Sequence, residues 1–217
     1  MKEFIYNPFL WILPFFSFFN YSYAQIKGYE IVIEAKVVKE KFNATAKSIN
    51  SFKAEMIQEK HLEILQEKLV SKGMFYYQKE NKIRIEYNSP FKYLMIINGT
   101  KIIIKDNNSK VTKIDAGNNA IFKQINSLII DCVKGSFLDN KDFSIVIYQN
   151  KEFYLFQLVP LKKGLKDFFS TIQIYVIKTD YTVQKIVMNE NGGDFTNINF
   201  THKTLNIALP HSIFSNN

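Results

Sequence analysis

The chain has 217 residues, 47% of them hydrophobic and 15% aromatic, with a formal net charge of +8. That apolar fraction excludes a disordered chain, and the length suits a full hydrophobic core. The lone Cys132 cannot close an internal disulfide, so packing must hold the fold.

Lys2 is followed by an apolar block over residues 9–19 and then by Ser22-Tyr23-Ala24. A basic start, an apolar core and a small-x-small site read as a signal peptide over residues 1–24, cleaved after Ala24. The block is short for a bilayer span and Pro14 interrupts it, although a retained membrane anchor is the alternative. Residues 25–217 are then expected to form one exported domain. Export argues against a nucleic-acid partner, so the positive charge fits anionic headgroups, an acidic partner or a solvated surface.

Val38, Phe42, Ala46 and Ile49 recur at helical spacing, which predicts a helix over residues 35–47. Residues 51–60 alternate with Phe52, Ala54 and Met56 on one face, as in a strand, and 61–67 are ambiguous. Residues 73–105 then read as a meander. Ile83, Ile85 and Tyr87 share one face, with Lys82, Arg84 and Glu86 on the other. Pro90 ends that strand, and Asn98-Gly99 suits a type I′ hairpin into residues 101–105. Residues 110–114 add one more short strand.

The period then changes. Ile121, Phe122, Ile125, Leu128, Ile129, Cys132 and Val133 fall on one stripe of a helix over residues 118–134, with Gly135 as its C-cap. Strands follow over 142–148, 152–159, 168–178, 181–189 and 194–201, with a loop over 160–167. The tail, carrying Leu205, Ile207, Leu209, Ile213 and Phe214, is apolar enough to dock.

Several strands are apolar on both faces: Leu94 and Ile96 oppose Tyr93, Met95 and Ile97. An antiparallel sheet with one wet face would alternate instead, so something covers the second face. Pattern alone leaves two solutions open, a β-sandwich or a curved sheet with helices across its mouth and an unfilled interior. No nucleophile elbow, phosphate loop or metal-ligand spacing appears, and His61, His202 and His211 are scattered. The residues therefore point to a binding protein rather than an enzyme, with no cofactor.

Gly73, Phe75, Tyr76, Asn81 and Arg84, followed by Tyr87, Pro90 and Asn98-Gly99, resemble the outer-membrane lipoprotein carrier (LolA-like) family. Ser48-Ile49-Asn50-Ser51-Phe52 with Gln58, then Leu158-Val159-Pro160, 185–188, 194–198 and Asn206 before Phe214, extend the likeness. It implies a mainly β fold with an α lid: an incomplete, unclosed antiparallel β-barrel with helices covering an apolar cavity. The implied function is a periplasmic carrier that holds the acyl chains of lipoproteins and shuttles them from the inner to the outer membrane. The implied partners are acylated lipoproteins, an inner-membrane lipoprotein-releasing ABC transporter and an outer-membrane acceptor, with the carrier itself monomeric. The same fold serves lipid- or lipoprotein-sensing modules of signalling systems and carriers of other acylated lipids.

The cavity set that follows from the likeness is Phe52, Met56, Phe75, Ile85, Tyr87, Tyr93, Met95 and Ile97. Ile121, Phe122, Ile125, Leu128 and Ile129 are its lid; a fixed core helix is the other reading of that stripe. Where the family carries an arginine thought to latch the lid, this chain offers Lys79, which cannot form the same bidentate fork.

Overall fold

The computed structural model describes residues 26–115, 128, 130–132 and 134–215. Residues 1–24, expected as a signal peptide, lie outside them, as do Ile121, Phe122, Ile125 and Ile129 of the expected lid.

Among the described residues, twelve strands form one sheet. In chain order they are β1 (Glu30–Ile31), β2 (Ser51–Leu62), β3 (Glu67–Gln78), β4 (Lys82–Ser89), β5 (Tyr93–Asn98), β6 (Lys101–Lys105) and β7 (Val111–Asp115). After a helical stretch come β8 (Phe143–Gln149), β9 (Phe153–Pro160), β10 (Phe169–Ile177), β11 (Val183–Glu190) and β12 (Phe195–Leu205). The spatial order is β1-β8-β9-β10-β11-β12-β2-β3-β4-β5-β6-β7, with every neighbour antiparallel. β1 and β7 stay as edges, so the barrel is unclosed, and the sandwich alternative is not adopted.

The meander forms as its alternation predicts. Ile83 and Ile85 are buried, while Arg84 turns to the other face and pairs with Glu86 at 3.0 Å. The hairpin chemistry differs by one residue from expectation. Asn98 pairs with Lys101, so the loop is Gly99-Thr100, and Gly99 alone of the two has a positive φ, of 62°. That is the sequence pattern of a II′ loop, with glycine first, rather than I′. The ambiguous 61–67 segment is a tight turn after Leu62, and β3 begins at Glu67, six residues before the expected Gly73.

Helix α1 (Ala35–Ser48) buries Val38, Phe42 and Ala46, one stripe at four-residue spacing. It ends where Ile49 becomes extended (φ −79°, ψ 109°). Phe42, 2% exposed, forms a triangle of rings with Phe137 and Phe156, with centroids 5.5 and 5.1 Å away. Residues 128, 130–132 and 134 are helical, and Gly135 closes that helix in the left-handed region (φ 71°), as expected for its C-cap. The loop over 160–167 contains the start of a one-turn helix, Leu165–Phe168.

The core divides in two. One half gathers α1 residues with Phe156, Leu158, Ile172, Ile174 and Val176, and the other gathers Phe52, Ala54, Met56, Phe75, Ile83 and Ile102. Leu128 and Cys132 join the first half and Ile130 the second, so the helix spans the seam.

On the outer face, among the described residues, the tail docks as expected and the segment before β1 packs as well. The tail forms a 3-10 turn, His211–Phe214, with Phe214 buried, and Ile213 O accepts from Arg84 Nη1 at 3.0 Å. At the other end Tyr29 packs edge-on against Tyr175, with centroids 6.2 Å apart.

Candidate functional site

A cavity of about 270 Å³ opens between the two core halves. Its walls come from several parts of the fold. Ile49 follows α1; Phe52, Met56 and Gln58 come from β2; Phe75, Ile85, Tyr87 and Met95 from β3–β5. Phe169, Ile172, Val183, Ile186 and Met188 come from β10 and β11, and Ile198 and Phe200 from β12. Leu128 and Cys132 close it from the helix, and Thr182 adds a polar edge. Alternation places these side chains together: on each strand every second residue points inward, and the sheet's curvature makes those faces converge.

Of the expected cavity residues, Phe52, Met56, Phe75, Ile85, Tyr87, Met95 and Leu128 line it. Ile97 is 1% exposed and belongs to the packed core with Ile83 and Ile102 rather than to the lining. Tyr93 stands opposite Tyr87, ring centroids 5.9 Å apart, in a neighbouring polar cleft. Lys79 is exposed on the β3–β4 turn, its backbone N–H donating to Asn50 O. A contact between helix and turn is made two residues further on, by Lys134 Nζ donating to Asn81 Oδ1 at 3.1 Å.

Sequence reading missed the wall supplied by β10–β12. The signal was present in the alternation of Ile172 with Ile174, Ile186 with Met188 and Ile198 with Phe200. What alternation does not tell is which parts of an inward face meet packed neighbours and which meet space.

The polar groups of the wall are held tightly. The Tyr87 hydroxyl donates to Gln58 Oε1 at 2.6 Å, and burial with the nearby Tyr93 pushes its pKa up to about 12. Thr182 Oγ1 donates to Asp180 Oδ1 and accepts from Lys203 Nζ, whose pKa burial lowers. Burial, then the Asp131 carboxylate, pushes the Cys132 thiol up, which keeps it protonated. Among the described residues no cluster of three or more His, Cys, Asp or Glu could hold a metal ion. No helix among them is long and apolar enough to cross a membrane.

An unclosed antiparallel barrel curled around an apolar cavity, capped by helix, is the class of protein that these features define. A family model for the outer membrane lipoprotein carrier protein LolA matches residues 47–217, and the chain belongs to that family. Comparison with the curated proteins returns no match. Among solved structures, a chain of the Pseudomonas aeruginosa MucA/MucB complex aligns with a TM-score of 0.51 and 10% identity, over 84% of this chain and 61% of that one. A LolA superfamily protein from Nitrosomonas europaea aligns with a TM-score of 0.45 and 10% identity, over 85% and 99%. A putative outer membrane lipoprotein-sorting protein domain from Vibrio parahaemolyticus gives 0.46 and 10%, over 82% and 94%. At such identities the likeness is one of fold.

Proposed function

We propose that this protein is a periplasmic carrier that takes the acyl chains of lipoproteins into its cavity and moves them from the inner to the outer membrane. The observation that carries this reading is the cavity itself: an apolar space left unfilled between two well-packed half-cores. A lipoprotein acyl chain of about sixteen carbons loses roughly 0.8 kcal/mol for each CH₂ exposed to water, about 12 kcal/mol in all. Such a chain needs shelter to cross an aqueous space, and a shelter that empties again on delivery.

The volume of about 270 Å³ lies just below the roughly 300–1,000 Å³ typical of small-ligand pockets. Cargo with several chains therefore requires the space to grow. The helix bearing Leu128 and Cys132 is the wall to move, because it crosses the seam rather than belonging to the sheet. In this reading its apolar stripe substitutes for cargo when the carrier is empty, and residues 1–24 are removed on export. An inner-membrane ABC transporter and an outer-membrane acceptor would load and unload it.

The test is incubation of the exported protein with a triacylated lipopeptide, followed by native mass spectrometry and transfer to acceptor vesicles. A complex of unmodified cargo, carried by a chain beginning at Gln25 and delivered to the vesicles, is the expected result. Absence of a complex or hydrolysed cargo would overturn the reading. Binding without delivery would identify a lipid-holding module instead of a carrier.

A further inference from the structure

Few polar side chains line the cavity among the described residues, and they differ in what they can still bind. The Thr182 hydroxyl is occupied: it donates to Asp180 Oδ1 at 2.8 Å and accepts from Lys203 Nζ at 2.7 Å. The Cys132 thiol is a weak donor. Gln58 is the exception. Its Oε1 is taken by the Tyr87 hydroxyl, which leaves an amide NH₂ with two N–H donors at the wall.

The position of this pair is as informative as its chemistry. Gln58 is on β2 and Tyr87 on β4, with β3 between them, and Gly73 of β3 stands opposite Tyr87. No side chain on Gly73 intervenes as Tyr87 reaches across to Gln58. Tyr87 also borders a second cleft lined by Asn88, Lys92, Tyr93 and Lys105. The pair therefore sits where apolar lining gives way to polar, water-facing surface. An amphiphile with its chain in the cavity and its polar part outside would place the chain's linking carbonyl at this boundary.

We propose that Gln58, held in place by Tyr87, is the specificity group of the cavity, donating to the carbonyl of an acyl ester or amide whose chain fills the apolar interior. The ligand class is then a fatty acyl derivative, as against a hydrocarbon lacking the carbonyl. This rests on the acyl-cavity reading above. A hydrocarbon would bury the Gln58 amide without a partner, and a site built to donate discriminates against a ligand that cannot accept. One net hydrogen bond corresponds to a preference of about three- to tenfold.

The experiment is displacement of the apolar dye N-phenylnaphthylamine by an n-alkane and by a fatty-acid methyl ester of equal chain length. Wild type should bind the ester about three- to tenfold more tightly. The double variant Gln58→Leu with Tyr87→Phe should bind both probes alike, with alkane affinity unchanged or raised. Changing both partners leaves no orphaned polar atom, so the fold should survive, as a circular dichroism melt would check. If the double variant does not fold, Tyr87→Phe alone carries the test, since an amide without its holder loses its fixed aim and the preference falls. No ester preference in wild type, or a preference that persists in the variants, overturns this inference and leaves the cavity reading standing. Failure of both probes to displace the dye from wild type overturns this inference and the cavity reading alike.

Discussion

Gly73 and Tyr87 are paired across β3 and β4 with no room for a side chain between the strands: a Cβ on Gly73 would lie 1.9 Å from Glu86 O and 2.9 Å from Tyr87 Cα. The register shifts here from Lys72 opposite Ser89 to Gly73 opposite Tyr87, so β4 carries one extra residue, Asn88. A bulge of this kind draws one strand over its neighbour, and glycine is what permits the approach. The spacing of Gly73 and Tyr87 in the sequence is thus one structural device rather than two separate features.

Gly73→Ala should consequently destabilise the fold by at least the roughly 1–3 kcal/mol typical of overpacking, because the clash is with backbone and cannot be relieved by a rotamer change. Urea unfolding monitored by circular dichroism measures it. A midpoint equal to that of wild type would show that β4 shifts freely and that the close approach does not matter.

Tyr87 also predicts an alkaline limb of stability. Its pKa rises from an ordinary 10.0 to about 12 on folding, so the folded state holds this proton more tightly than the unfolded state. The contribution is fully present below about pH 10 and is lost as pH rises toward about 12, on the order of 2–3 kcal/mol. Tyr77, Tyr93 and Tyr175 are raised too, through burial, so wild type loses stability from several groups at once. Tyr87→Phe should unfold with a shallower decline across this window. An identical slope in the variant would mean that Tyr87 titrates normally.

Helix mobility can be read from Cys132. The thiol is 3% exposed and its pKa is raised, so maleimide should react slowly with the native protein. Leu128→Asn places an amide in an apolar wall, costing roughly 1–3 kcal/mol where the helix is closed. For a lid, Cys132 alkylation should accelerate about ten- to a hundredfold while the unfolding midpoint stays near that of wild type. Equal loss of global stability would identify the stripe as fixed core.

Much of this arrangement was legible in the residues. The α1 stripe of Val38, Phe42 and Ala46 and the alternation of Ile83, Ile85 and Tyr87 each report a buried face directly, because period follows backbone geometry. Residues 67–72 gave no such signal, since the hairpin projects there: Leu69 and Val70 are exposed beside Glu67 and Lys68, and no core selects one face. Of the covers on the outer face, the docking tail with Phe214 was legible from its apolar residues. Tyr29, half-buried, was not, because it comes from an irregular segment that has no period to detect. The cavity itself depends on closure: Ile97 and Met95 share a face two residues apart, yet one is packed and the other lines open space.

Among the described residues the sheet ends at β1 and β7 without closing, which gives the structure a freedom that a closed barrel lacks. In a closed barrel, strand number and stagger fix the radius, and widening the interior means breaking ladder hydrogen bonds. An unclosed sheet has no fixed girth. Its strands can uncoil by small changes of twist, each ladder intact, while the two half-cores part along the seam that holds the cavity. Enlargement would then draw on dispersion contacts across the seam alone, and the interior would take its size from whatever it encloses.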